Sequence, residues 1–106
     1  MRLSSNEINI LKHKLYELST EAKLYLFGSR IDDTKKGGDI DLLIVSDKLT
    51  KKDIRSLRLE FFKNFGEQKL DIVLDKGDFN NPFTKIIKDK AILLWCLKNF
   101  NLIFYY

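Results

Sequence analysis

Residues 24–45 read LYLFGSRIDDTKKGGDIDLLIV, and the fold can be worked out from this stretch. An apolar segment ends at Gly28-Ser29, and after nine residues Asp39-Ile40-Asp41 opens a second apolar segment that runs to Val45. Short apolar segments separated by a polar loop rich in glycine and lysine predict two strands. The carboxylates of Asp39 and Asp41 are then expected at the start of the second strand.

The pattern Asp39-Ile40-Asp41 predicts a metal site. On a strand, residues i and i+2 point to the same face, roughly 6.5 to 7 Å apart, so Asp39 and Asp41 project together while Ile40 faces the core. Two carboxylates at this distance repel each other, whereas Mg²⁺ prefers carboxylate oxygens as ligands. One or two magnesium ions explain the pair better than packing does.

Gly28-Ser29 predicts an anion site beside the metal. A strand that turns there into a short helix presents backbone N–H groups and a hydroxyl, and glycine allows a phosphate to approach closely. A phosphate-binding turn next to a metal site predicts a site for a nucleoside triphosphate. Arg30 either contacts phosphate or pairs with an aspartate of the same loop, and Lys35 and Lys36 either are solvated or contact the triphosphate.

The remaining sequence predicts alternating helices and strands around these two segments. The expected elements are a helix from Ser4 or Ser5 to about Ser19, strand Lys23–Phe27, a helix from Thr50 to Gly66, strand Lys69–Asp75, a short helix that begins at Asn81-Pro82 and is broken by Lys88-Asp89-Lys90, and strand Ala91–Trp95. Glu7 and Asp53 are placed to cap the first two helices. The fold class is α/β, a small mixed sheet with helices packed against it, in a single domain spanning residues 1–106.

Apolar residues at helical spacing predict which side chains enter the core. In the helix after Thr50 they are Ile54, Leu57, Leu59, Phe61, Phe62 and Phe65, and in the short helix they are Phe83, Ile86 and Ile87. Cys96 is expected as a small core residue rather than a nucleophile.

The segments FGSR at 27–30 and DIDL at 39–42, with a later aspartate on a strand, resemble the nucleotidyltransferases of the DNA polymerase beta superfamily. Within it, so short a chain looks like the minimal nucleotidyltransferases (MNT), over about residues 8–95. The resemblance implies a nucleotidyltransferase fold and Mg²⁺-dependent transfer of a nucleoside monophosphate to a hydroxyl, with AMP coming from ATP. Related members often act as antitoxins of HEPN-domain toxins, some by transferring AMP to a HEPN tyrosine.

The resemblance also assigns roles to residues. Asp39, Asp41 and Asp71 are implied as catalytic residues and ligands of a two-metal site, and Gly28, Ser29 and Arg30 as the nucleotide-binding residues. Asp71 either completes the second metal site or accepts the proton of the attacking hydroxyl. Asp75 competes with Asp71 for this place, but its position before Lys76-Gly77-Asp78 favours a strand-terminating turn.

Composition excludes several other classes of protein. One cysteine and one histidine leave no internal disulfide and too few ligands for zinc. The longest apolar run, 91–97, is far short of the roughly 20 residues that span a bilayer, so no membrane segment is expected and the cytoplasm is the expected location. A net charge of +4, spread along the chain, does not favour direct nucleic-acid binding.

A core of this size leaves little chain to recognise an acceptor. The acceptor-binding surface is therefore expected to come from a partner protein or a second copy of the chain. The aromatic tail Phe100–Tyr106 is the candidate contact, and its deletion is expected to weaken assembly. Two alternatives stay open. One is a non-catalytic antitoxin that blocks a HEPN ribonuclease by occlusion, and the other is a minimal antibiotic nucleotidyltransferase.

Overall fold

The computed structural model describes residues 3–28, 40–66 and 69–96. In chain order these residues form α1 (Ser5–Leu18), β1 (Lys23–Phe27), β2 (Ile40–Val45), α2 (Lys51–Phe65), β3 (Leu70–Asp75), α3 (Pro82–Lys90) and β4 (Ile92–Trp95). The predicted α/β class and element order are confirmed. Of the predicted phosphate turn only Gly28 is described, while Ser29, the lysine loop and the aromatic tail lie outside the described residues.

Local hydrogen bonds define where the two long helices begin. Ser4 Oγ accepts from the Glu7 N–H at 3.1 Å, and Glu7 Oε1 accepts from the Ser4 N–H at 2.9 Å. Thr50 and Asp53 repeat this reciprocal arrangement at the start of α2. Such caps stabilise a helix by about 1 kcal/mol each. Because each cap joins residues only three apart, a short sequence pattern was enough to predict both helix starts.

The four strands form one mixed sheet in the order β3-β2-β1-β4. β1 is antiparallel to both β2 and β4, whereas β2 and β3 are parallel and are connected through α2. Among the described strands, β2 therefore lies inside the sheet and β3 forms one edge. The starts of β2 and β3 lie side by side because Ile40 and Leu70 are register partners.

α1 and α2 cover one face of the sheet and form the larger core with it. Its fully buried members include Leu11, Leu15, Leu24, Leu26, Ile40, Leu42, Ile44, Leu57 and Phe61. Phe62 and Phe65 pack against this core, as predicted. The prediction for Leu59 is wrong, since this side chain is 62% exposed. Leu59 is two positions from both Leu57 and Phe61, and residues two apart point to different sides of a helix.

α3 packs on the opposite face, where Ile87 joins Tyr25 and Leu43 in a smaller cluster. The predictions for Phe83 and Ile86 are wrong, because these side chains are 59% and 58% exposed. α3 contacts the sheet through a narrow stripe in which Thr84 and Ile87, three positions apart, are buried.

Two smaller expectations concern Cys96 and membrane insertion. Cys96 is a buried free thiol, as predicted for a small core residue. None of the three helices in the described ranges combines the length and the apolar character that crossing a membrane requires.

Candidate active site

Asp41 and Asp71 lie side by side at the starts of two parallel strands. They are register partners across β2 and β3, and each is the second residue of its strand. Neighbouring strands are about 4.8 Å apart, and partners in register point to the same face. Ile40, Leu42 and Leu70 belong to the core under α1 and α2, so the two aspartates face the other side of the sheet.

The two carboxylates differ in their exposure to solvent. Asp41 lies on an inner strand and is half-buried, whereas Asp71 lies on the edge strand and is exposed. A ligand can therefore reach the pair from the Asp71 side. Asp41 forms the inner wall of the site.

Gly28 brings the end of β1 against Asp41. Phe27, the last residue of β1, is the register partner of Asp41, and Gly28 follows with a φ of +78°. A Cβ at position 28 would clash with Oδ2 of Asp41 and lie 3.0 Å from its Cγ. Only glycine combines this backbone conformation with so close an approach to the carboxylate. The glycine was expected to admit phosphate, and its contact with Asp41 was not foreseen.

Of the six predicted site residues, Gly28, Asp41 and Asp71 are therefore brought together by the fold. Ser29, Arg30 and Asp39 lie outside the described residues, as do Lys35 and Lys36. Their predicted roles in phosphate and metal binding stay predictions.

The pair Asp41 and Asp71 fits a magnesium ion that is shared with a nucleotide. Mg²⁺ usually binds proteins through one or two carboxylates and takes its other oxygens from phosphates and water. Across residues 3–28, 40–66 and 69–96, no three histidine, cysteine or acidic side chains come close enough to hold a metal by themselves.

Asp75, at the far end of β3, has a different environment from Asp71. It is only 6% exposed, and its Oδ2 accepts from the Gly77 N–H at 2.7 Å and the Phe79 N–H at 3.4 Å. Its Oδ1 lies 2.9 Å from the Thr84 hydroxyl. These bonds confirm the predicted strand-terminating turn, about 13 Å along the strand from Asp71.

Thr84 is a residue that the sequence reasoning missed. Its buried hydroxyl joins α3 to the turn after β3 through Asp75. The only sequence signal was its spacing of three residues from Ile87, which places both on the inner stripe of α3.

Tyr25 and Lys88 further fix α3 on this face of the sheet. Lys88 Nζ lies 5.1 Å from the centroid of the Tyr25 ring, within the range of a cation–π contact. Burial, with a smaller contribution from Cys96, raises the pKa of the Tyr25 hydroxyl above its usual value of 10.0. The phenol therefore stays neutral beside the lysine at physiological pH.

A sequence-family comparison covers this whole arrangement. The model described as "Nucleotidyltransferase domain" matches residues 8–95, from the first half of α1 to the end of β4. The chain belongs to the nucleotidyltransferase domain family. The predictions that this nucleotidyltransferase domain belongs to the polymerase beta-like superfamily and is a transferase are thus confirmed. A comparison with curated protein sequences finds no match.

Proposed function

We propose that this nucleotidyltransferase domain uses Mg²⁺ to transfer AMP from ATP to a hydroxyl group of a partner protein. The observation that supports the proposal is the pairing of Asp41 and Asp71 at the starts of two parallel strands, with Gly28 packed against Asp41. A structural role does not account for two carboxylates in register on the sheet face that the helices cover less completely.

Each described site residue has a task in this reaction. Asp41 would hold the cation from the inner wall, and Gly28, packed against Asp41, would keep its carboxylate in place. Magnesium, when bound, neutralises charge on the triphosphate and on the leaving pyrophosphate. Asp71 faces solvent, where it either adds a metal ligand or accepts the proton from the acceptor hydroxyl. The acceptor oxygen forms a bond to the α-phosphorus as the bond to pyrophosphate breaks.

A protein acceptor is supported by the exposed apolar surface of α3. Phe83 and Ile86 lie three positions apart, both more than half exposed, on the helix that covers the same sheet face as the carboxylates. Exposed apolar side chains that are neighbours on a helix are typical of protein interaction surfaces. This favours a protein over an antibiotic as the acceptor.

The identity of that protein rests on the resemblance to the minimal nucleotidyltransferases. We propose a tyrosine of a HEPN toxin as the acceptor and an antitoxin role for the transfer. A second candidate function uses the same α3 surface, because a module that blocks the toxin by occlusion needs an apolar contact but no carboxylates.

The test is transfer of label from α-labelled ATP, with Mg²⁺, to proteins of an extract of the host cell. We expect a labelled protein band with the wild-type chain and a decrease of roughly a thousandfold with Asp41→Asn, because a metal ligand contributes several kcal/mol to the transition state. Asp71→Asn is expected to weaken transfer as well. Asp47→Asn, an exposed aspartate after β2, is the matched control and should transfer normally.

Two outcomes would change the proposal. Undiminished transfer by Asp41→Asn would reject the carboxylate mechanism. An absence of transfer, with a HEPN partner captured equally by wild type and Asp41→Asn, would favour the occlusion module.

A further inference from the structure

A groove of about 460 Å³ lies between α2 and β3, on the face of the sheet opposite to Asp41 and Asp71. Its floor is aliphatic and its rim is cationic. The lining residues are Ile54, Ile72 and Leu74 on the floor, and Lys51, Arg55 and Arg58 on the rim. All three floor residues belong to, or pack against, the larger core, so packing holds the floor of the groove in position.

The cations of the rim lie on one side of α2. Lys51, Arg55 and Arg58 are spaced four and three residues apart, and such residues are neighbours on a helix surface. None of them forms a salt bridge or side-chain hydrogen bond with another residue of the described ranges. Within residues 3–28, 40–66 and 69–96, no carboxylate lines the groove. The rim therefore carries positive charge that the described residues do not compensate.

The edge of β3 borders the same groove. Ile40 N–H donates to the Lys69 carbonyl at 3.0 Å, and Ser46 N–H donates to the Asp75 carbonyl at 2.9 Å. In a parallel pair, these bonds require the odd-numbered residues of β3 to direct their backbone groups toward β2. The N–H and C=O groups of Leu70, Ile72 and Leu74 therefore point outward, and among the described residues none has a hydrogen-bond partner.

We propose that this groove binds an extended acidic segment of a partner protein, which adds a strand to β3 and places its carboxylates beside Lys51, Arg55 and Arg58. An unpaired edge strand binds extended segments through main-chain hydrogen bonds, and a cationic rim selects acidic ones. The aliphatic floor offers no aromatic ring for base stacking, which disfavours single-stranded nucleic acid. The groove lies on the face of the sheet opposite to Asp41 and Asp71.

The probe is a fluorescent peptide with blocked ends in which glutamate alternates with valine. Its binding to the full chain is measured by anisotropy for wild type, Arg55→Glu/Arg58→Glu and the control Lys52→Glu/Lys63→Glu. The control reverses the same number of charges on α2, at exposed residues outside the groove. We expect the groove variant to weaken binding by roughly tenfold or more and the control by less than about threefold. A thermal unfolding curve for each variant checks that the fold is intact.

Hydrogen exchange tests the strand addition itself. Bound peptide should slow exchange of the Ile72 and Leu74 amides, and a peptide with lysine in place of glutamate should not bind. Equal weakening by the two double variants, or unchanged exchange at these amides, would overturn the proposal. So would tighter binding of oligouridylate with the same dependence on Arg55 and Arg58, which would assign the groove to nucleic acid.

Discussion

The two faces of the sheet use the same four strands and differ in how completely helices cover them. On one face, α1 and α2 bury Ile40, Leu42 and Ile44 of β2 completely. On the other, α3 contributes little more than Thr84 and Ile87, and the strand starts carrying Asp41 and Asp71 stay accessible.

The residues that stabilise the larger core and the carboxylates of the candidate site therefore lie on opposite faces of the same sheet. Because side chains alternate along a strand, β2 sends its even-numbered residues into the core and presents Asp41 on the opposite side. A carboxylate can then be kept near solvent without leaving a gap in the larger core. Substitutions on the two faces should consequently change different measured quantities.

The largest expected effect is on the α1 and α2 face. Phe61→Ala should lower the free energy of unfolding by about 3 to 5 kcal/mol, because it removes a fully buried aromatic side chain from a packed core. Leu59→Ala, on the exposed side of the same helix, should change it by less than about 0.5 kcal/mol. Urea denaturation measures both. Similar losses for the two variants would contradict the assignment of the buried side of α2.

The next effect separates backbone strain from contact with the carboxylate. Gly28 and Gly66 have nearly the same φ, +78° and +80°, but only a Cβ at position 28 meets Asp41, while nothing lies within 4 Å at position 66. Gly66→Ala should cost about 1 to 2 kcal/mol of stability from its backbone alone, because φ +80° with ψ 171° is a conformation that only glycine adopts readily. Gly28→Ala should cost about 2 to 3 kcal/mol, because the carboxylate must also move.

The same pair of variants should differ in metal binding. Calorimetric titration with Mg²⁺ and a non-hydrolysable ATP analogue should show weaker binding for Gly28→Ala and wild-type affinity for Gly66→Ala. If Gly28→Ala binds the metal and nucleotide as the wild type does, the position of Asp41 against Gly28 is unimportant for the site.

The smallest effect concerns the attachment of α3. Thr84→Val should lower the free energy of unfolding by about 1 to 2 kcal/mol, since Oδ1 of buried Asp75 loses a hydrogen bond of 2.9 Å. Thr84→Ser keeps the hydroxyl and should stay close to the wild type in thermal unfolding. A Ser variant as unstable as the Val variant would indicate that the methyl group, rather than the hydroxyl, holds α3 in place.

Much of the fold could be predicted because its signals act over a few residues. The capping pairs at Ser4 and Thr50 are hydrogen bonds between residues three apart, and Gly66 ends α2 where the backbone needs a positive φ. The strand-terminating role of Asp75 was likewise readable from the turn residues that follow it. These features depend on neighbours in sequence.

The predictions that failed depend on packing between distant elements. Leu59, Phe83 and Ile86 are apolar residues on amphipathic helices, and their burial depends on how wide a stripe of each helix meets the sheet. Composition and periodicity do not set that width. α3 meets the sheet along a narrow stripe, so two of its three predicted core residues stay exposed.

The sequence by itself determined the elements of this protein, the carboxylates at the strand starts and the glycine at the end of β1, because local hydrogen bonding and strand alternation are encoded in consecutive residues. Only the tertiary structure decided that Asp41 and Asp71 are partners in register, that Gly28 abuts Asp41, and that β3 is an edge strand. These relations follow from the pairing of strands that are distant in sequence, which is selected by the packing of the whole sheet against its helices.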